Sequence, residues 1–136
     1  MATPKKSIMQ RIFDRGCKHL MKQGRKSVEG HNCRYLSDNG QRCIIGGCIA
    51  KKYYTEAIEG QGARTVLVRS AVAKSMRVEP HEIDDGTASL MAEMQNVHDY
   101  TLSDDAGKFL NMEKLKQKLR NIAAVRKLAI PACIKA

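Results

Sequence analysis

His98 and Asp99 stand side by side in this 136-residue chain. A histidine next to a carboxylate is a pairing that metal-dependent phosphohydrolases use, and such a site needs further ligands. Here those would come from His81, Glu82, Asp84 and Asp85. A helix ending in His-Asp is also an ordinary C-terminus, where an imidazole covers free carbonyls. A metal-dependent hydrolase around His98 and Asp99 is therefore the minority reading, and the chain reads as a non-enzyme with no catalytic residue assigned.

A second constellation is Cys33, Cys43 and Cys48, separated by nine and then four residues. With His98 or His31 as a fourth ligand, these would make a zinc site. The spacing is not the pair of short Cys-x-x-Cys loops that marks a zinc ribbon. The simpler reading makes them small thiols packing a hairpin onto helices, with no cofactor; zinc on Cys33, Cys43, Cys48 and His98 is the alternative. Five cysteines without a dense framework fit a reducing compartment, and no thiol is singled out as a nucleophile.

Charge carries more of the signal. The formal net charge is +10, distributed as +7, +1, −5 and +7 over residues 1–27, 28–64, 65–107 and 108–136. Two basic ends around an acidic middle point to surfaces that meet something negative, or the acidic middle of another copy. Arg11, Arg15, Lys18, Lys22 and Arg25 recur at intervals of four and three, as one stripe of a helix does. Lys116 and Arg120 belong to the basic C-terminal end, and Lys51-Lys52 stand beside Tyr53-Tyr54. These nine cations are the candidate contacts to nucleic acid or an acidic partner. Tyr53, Tyr54 and Phe109 are the candidate hot spots for a protein partner.

These side chains need elements to hold them. At 43% hydrophobic residues with no tryptophan, a single domain built on aliphatics and methionine is expected. Ser7 and Gln10 form a capping-box pattern ahead of a helix from Ile8 to Gln23, whose Met9, Ile12, Phe13, Cys17, Leu20 and Met21 share a face, and Gly24 ends it. Residues 32–36 and 41–45 read as the strands of a β-hairpin turned at Ser37-Asp38-Asn39-Gly40, with Gly46-Gly47 as its exit. Thr65 caps a helix to Met76, and Pro80 breaks the chain. Thr87 caps a helix from Ala88 to His98, and Asn111 begins a last helix stopped by Pro131. The expected class is α+β: one domain over residues 1–136, a hairpin among four or five helices, with 1–6 and 130–136 loose. No apolar run is long enough to cross a bilayer, so no membrane contact is expected.

The run Cys33-x-Tyr35 to Gly40-x-x-Cys43-x-x-Gly46 follows His19-Leu20-x-x-Gln23-Gly24-x-x-Ser27 and precedes Glu59-Gly60 and Val97-His98-Asp99. This pattern resembles a group of small, uncharacterised proteins encoded by tailed bacteriophages. The likeness spans about residues 8–60 and, more weakly, 90–128. The group often has an arginine where this chain has Leu36, and a Pro-Asp where it has Ala50-Lys51. The resemblance implies a phage accessory protein in the cytoplasm of an infected bacterium. With the charge pattern, it leads to non-catalytic binding that modulates a host or defence protein with an acidic surface. Weakly specific DNA or RNA binding is one alternative, and a self-assembling or virion structural protein, a homo-oligomer, is the other.

Overall fold

The computed structural model describes residues 6–24, 28–29, 32–100 and 111–135. Four α-helices carry the architecture: α1 (Ile8–Gln23), α2 (Val66–Met76), α3 (Asp85–Tyr100) and α4 (Met112–Arg126). In α1 the Ser7 hydroxyl accepts the Gln10 N–H at 3.1 Å, and Gly24 closes the helix at φ 69°, its N–H donating to Leu20. The Gln10 amide does not complete a capping box; it reaches Asp14 and Ala129. Ile12, Phe13, Gly16, Cys17 and Leu20 form the buried stripe, with Met9 and Met21 packed at its margins.

The α+β expectation is overturned, because the described chain is helical and forms no sheet layer. The hairpin turn exists: Gly40, at φ 85°, donates to Ser37 at 2.9 Å, and Ser37 N–H donates to Gln41. The strands do not. Pairing across the turn stops at a single bridge, Leu36 to Arg42, and Gly46–Cys48 winds into a 3-10 turn. The other extended pairing, Val28–Glu29 with Asn32–Cys33, is two residues a side. Two physical causes account for the error. Ile44 and Ile45 are consecutive and both fully buried, so the alternation of a half-buried strand is lost. Gln23 also takes both outward-facing backbone groups of Arg42, accepting its N–H at 2.9 Å and donating to its carbonyl at 2.7 Å, so an α1 side chain occupies the edge where a further strand would pair.

The remaining helices match the sequence with local shifts. α2 buries Val68, Ala71, Val72 and Met76. Thr65 precedes it but does not cap it, since its hydroxyl donates to Gly62. α3 begins earlier than expected because Asp84, not Thr87, is its cap: the Asp84 carboxylate accepts the Thr87 N–H at 2.8 Å, while Thr87 is buried. That backbone bond holds the Asp84 carboxyl below its ordinary range. In α4, Asn111 accepts from Lys114 at 3.1 Å, and Leu115, Leu119, Ile122 and Ala123 face inward.

The helices pack as α1 on α3 and α3 on α4. α4 ends at Lys127 in the left-handed conformation, well before Pro131. The chain then crosses back as a strap over residues 127–131 and a 3-10 turn at Ala132–Ile134 that packs on both α1 and α4. Ile134 is fully buried, a contribution of about 1.5–3 kcal/mol that ties the tail to the domain. No helix among the described residues is long and apolar enough to cross a membrane.

Candidate functional site

His19, Gln23, Tyr35, Gly46, Glu59, His98 and Asp99 of the sequence pattern converge, and with Gln95 they form a clasp. From α1, Gln23 holds the backbone of Arg42 and His19 Nε2 lies 3.2 Å from the same carbonyl. From α3, Gln95 accepts the Ile45 N–H at 3.4 Å and donates to Asp99 at 2.9 Å. The Glu59 carboxylate gathers the Tyr35 N–H (3.0 Å), the Leu36 N–H (3.2 Å) and the Tyr54 hydroxyl (2.6 Å), with Arg34 at 3.6 Å. Gly46 is needed because a Cβ there would collide with the Tyr35 carbonyl. These polar groups thus fix the loop 34–49 to α1, to α3 and, through Glu59, to the turn that follows it.

His98 and Asp99 sit inside this clasp. The His98 ring is fully buried, its Nδ1 is 2.9 Å from Asp99 Oδ1, and its Nε2 has no partner among the described residues. His81, Glu82, Asp84 and Asp85, the proposed co-ligands, lie instead around the start of α3, exposed. Burial lowers the pKa of His19, and the charges of Arg42 and His98 lower it further against its bond to the Arg42 carbonyl. Cys43 and Cys48 are engaged separately: Cys43 Sγ accepts the Gly46 N–H at 3.2 Å, and Cys48 donates to Ile12 and Ile44 carbonyls. Burial pushes the Cys48 thiol up to about 12 and raises Cys43 as well. The Cys33 side chain lies outside the described residues. No group of three or more His, Cys, Asp or Glu side chains suited to a metal converges among the described residues.

The cations are arranged differently. Arg15, Lys18 and Lys22 are exposed along α1, and Arg11 is half-buried with Nη2 donating to the Met76 carbonyl at 2.6 Å. On α4, Arg120 donates to the Ile134 carbonyl at 2.7 Å, and Lys116 faces Glu113 at 3.7 Å. The two helices meet at the tail between them. The turn Ala132–Ile134 packs on both α1 and α4, so the two basic helices flank it; burial raises the Cys133 thiol there. Arg11, Arg15, Lys18, Lys22 and Arg120 have no acidic partner among the described residues.

Lys51 and Lys52 are exposed on a 3-10 turn (Lys51–Tyr53) that packs against α2, with Lys52 Nζ 4.9 Å from the Tyr53 ring. Tyr53 is half-buried. The Tyr54 hydroxyl is spent internally on Glu59, and burial, together with that bond, pushes its pKa up to about 12. Arg25 and Phe109 lie outside the described residues.

Between α1 and the strap runs an open groove of about 730 Å³. Lys6, Arg11, Asp14, Arg15 and Lys18 line one side, the single acid Asp14 being paired with Lys6 at 2.9 Å and bonded by Gln10, and Met76, Ile130, Pro131 and Cys133 supply apolar surface. Sequence reasoning missed the strap side of this groove, since nothing in the run from Ala129 to Cys133 announces a partner on α1. Gln10 is the missing link: its amide donates to the Ala129 carbonyl at 3.0 Å and accepts the Ala129 N–H at 2.8 Å. Among known proteins, the chain matches no protein-family model, no curated protein and no solved structure.

Proposed function

We propose that this chain is a non-catalytic accessory protein, acting in the infected bacterium as its phage resemblance implies, that docks on an acidic surface of a host or defence protein. The docking surface is the face built from α1, the tail and α4. The observation that carries this reading is the set of cations on both sides of the tail, Arg11, Arg15, Lys18 and Arg120, without acidic partners among the described residues. Backbone bonds fix Arg11 and Arg120 in place, so little side-chain freedom is lost when an anion arrives. Unneutralised charge of one sign raises the rate of encounter with an acidic partner and selects against basic ones.

Nucleic acid is the competing target, because Arg15, Lys18 and Lys22 lie along about 10 Å of one helix, a spacing a phosphate backbone can track. Capture from bacterial lysate, with and without nuclease, separates the two. A stoichiometric protein that survives nuclease and is released by salt is the expected result. Nucleic acid as the sole captured species, with affinity for purified DNA or RNA falling steeply with salt, would overturn the protein-docking reading.

A further inference from the structure

The groove beside α1 is more specific than a charged face requires. Its strap wall is held by two bonds from Gln10 to the backbone of Ala129, and its far wall by Arg11 on the Met76 carbonyl. Ile134, fully buried behind it and bonded through its carbonyl to Arg120, anchors the turn after the strap. A wall bonded at both ends is preorganised for an occupant. Ile130, 37% exposed, is one of the few large apolar side chains left in water, and its backbone N–H and C=O have no partner among the described residues. Phosphate has no use for that apolar surface or for an open strap edge; a peptide has use for both.

Resting on the reading of the basic face as a docking surface, we propose that this groove takes an extended acidic segment of the partner protein that carries an apolar side chain. Its carboxylates face Arg11, Arg15 and Lys18, and its apolar side chain covers Ile130 and Pro131. Arg11 to Lys18 spans about 10 Å along the helix, the length of about three to four extended residues. The segment is therefore short, and charge complementarity with one apolar anchor sets its selectivity.

Fluorescence anisotropy of the full chain against three probes tests this. The probes are a blocked eight-residue peptide of alternating glutamate and leucine, blocked octaglutamate, and a twelve-nucleotide single-stranded DNA. The glutamate–leucine peptide is expected to bind at least about tenfold more tightly than octaglutamate. Ile130→Ser should erase that difference, and Arg15→Glu should weaken both peptides, with circular dichroism and melting unchanged in each variant. Equal affinity for the two peptides, or no binding by either, overturns the groove inference and leaves the basic-face reading standing. DNA bound more tightly than either peptide, and weakened by Arg15→Glu, overturns both.

Discussion

The clasp and the basic face are both polar, and they are polar in opposite ways. In the clasp, Gln23, Gln95 and Glu59 are committed to backbone N–H groups or carbonyls, so their chemistry is consumed in holding the loop 34–49 against α1 and α3. On the face, Arg15 and Lys18 project into water with no acidic partner among the described residues. The recognisable pattern belongs to the first region and the unspent charge to the second. The motif of polar residues and glycines is thus accounted for by scaffolding, and the proposed binding surface lies where the sequence shows only a charge stripe.

The largest effects are expected in the clasp. Gly46→Ala forces a methyl into the Tyr35 carbonyl and should cost about 3–5 kcal/mol, or prevent folding, as read by urea denaturation. A loss under about 1 kcal/mol would mean the backbones are not held this closely. Gln23→Leu leaves the N–H of Arg42 without its partner and its carbonyl with His19 alone, and should cost about 1–3 kcal/mol by the same measurement. An unchanged midpoint would remove Gln23 from the clasp.

Acidification should weaken the clasp next. His19 is held below its ordinary pKa by burial, so the unfolded chain takes up the proton first. Its stabilising contribution is complete above about pH 6.5 and is lost as pH falls below it, with a slope of up to about 1.4 kcal/mol per pH unit until the folded pKa is reached. His19→Gln should flatten that part of the stability profile. A wild-type profile flat between pH 7 and 5 would contradict the assignment.

Thiol labelling sharpens the comparison without altering the fold. Cys17, Cys43 and Cys48 are buried and their thiols raised by that burial, whereas Cys133 is half-buried in the groove wall. Of these four, Cys133 should react first with a maleimide at pH 7.5, and a docked partner should protect it. Peptide mapping that finds Cys43 or Cys48 reacting ahead of Cys133 would show an open clasp.

Much of this was legible in the sequence because it is local. Ser7, Gly24 and Asn111 mark helix ends through bonds that span three or four residues, and the apolar spacing of α1 and α4 names the faces that are buried. The hairpin misled because Asn39-Gly40 specifies a turn but not the pairing of the chain on either side of it. The decisive contacts, Gln23 to Arg42 and Gln95 to Ile45, cross 19 and 50 residues of sequence. The cations of α1 were legible as a stripe, while the approach of Arg120 and Lys116 on α4 to the same tail was not. That depends on the tail folding back through Gln10 to Ala129, across 119 residues, and on a buried Ile134 in a segment that reads as loose.

The smallest expected change in stability accompanies the most direct test of function. Arg15→Glu with Lys18→Glu touches two exposed side chains and should leave the unfolding midpoint within about 0.5 kcal/mol of wild type. Capture from nuclease-treated bacterial lysate should then be compared for wild type, this double variant and Arg64→Glu, an exposed cation outside the groove. The account predicts one stoichiometric protein with wild type and Arg64→Glu, and its loss with the double variant. Equal capture by all three, or nucleic acid alone before nuclease treatment and nothing after it, would contradict it.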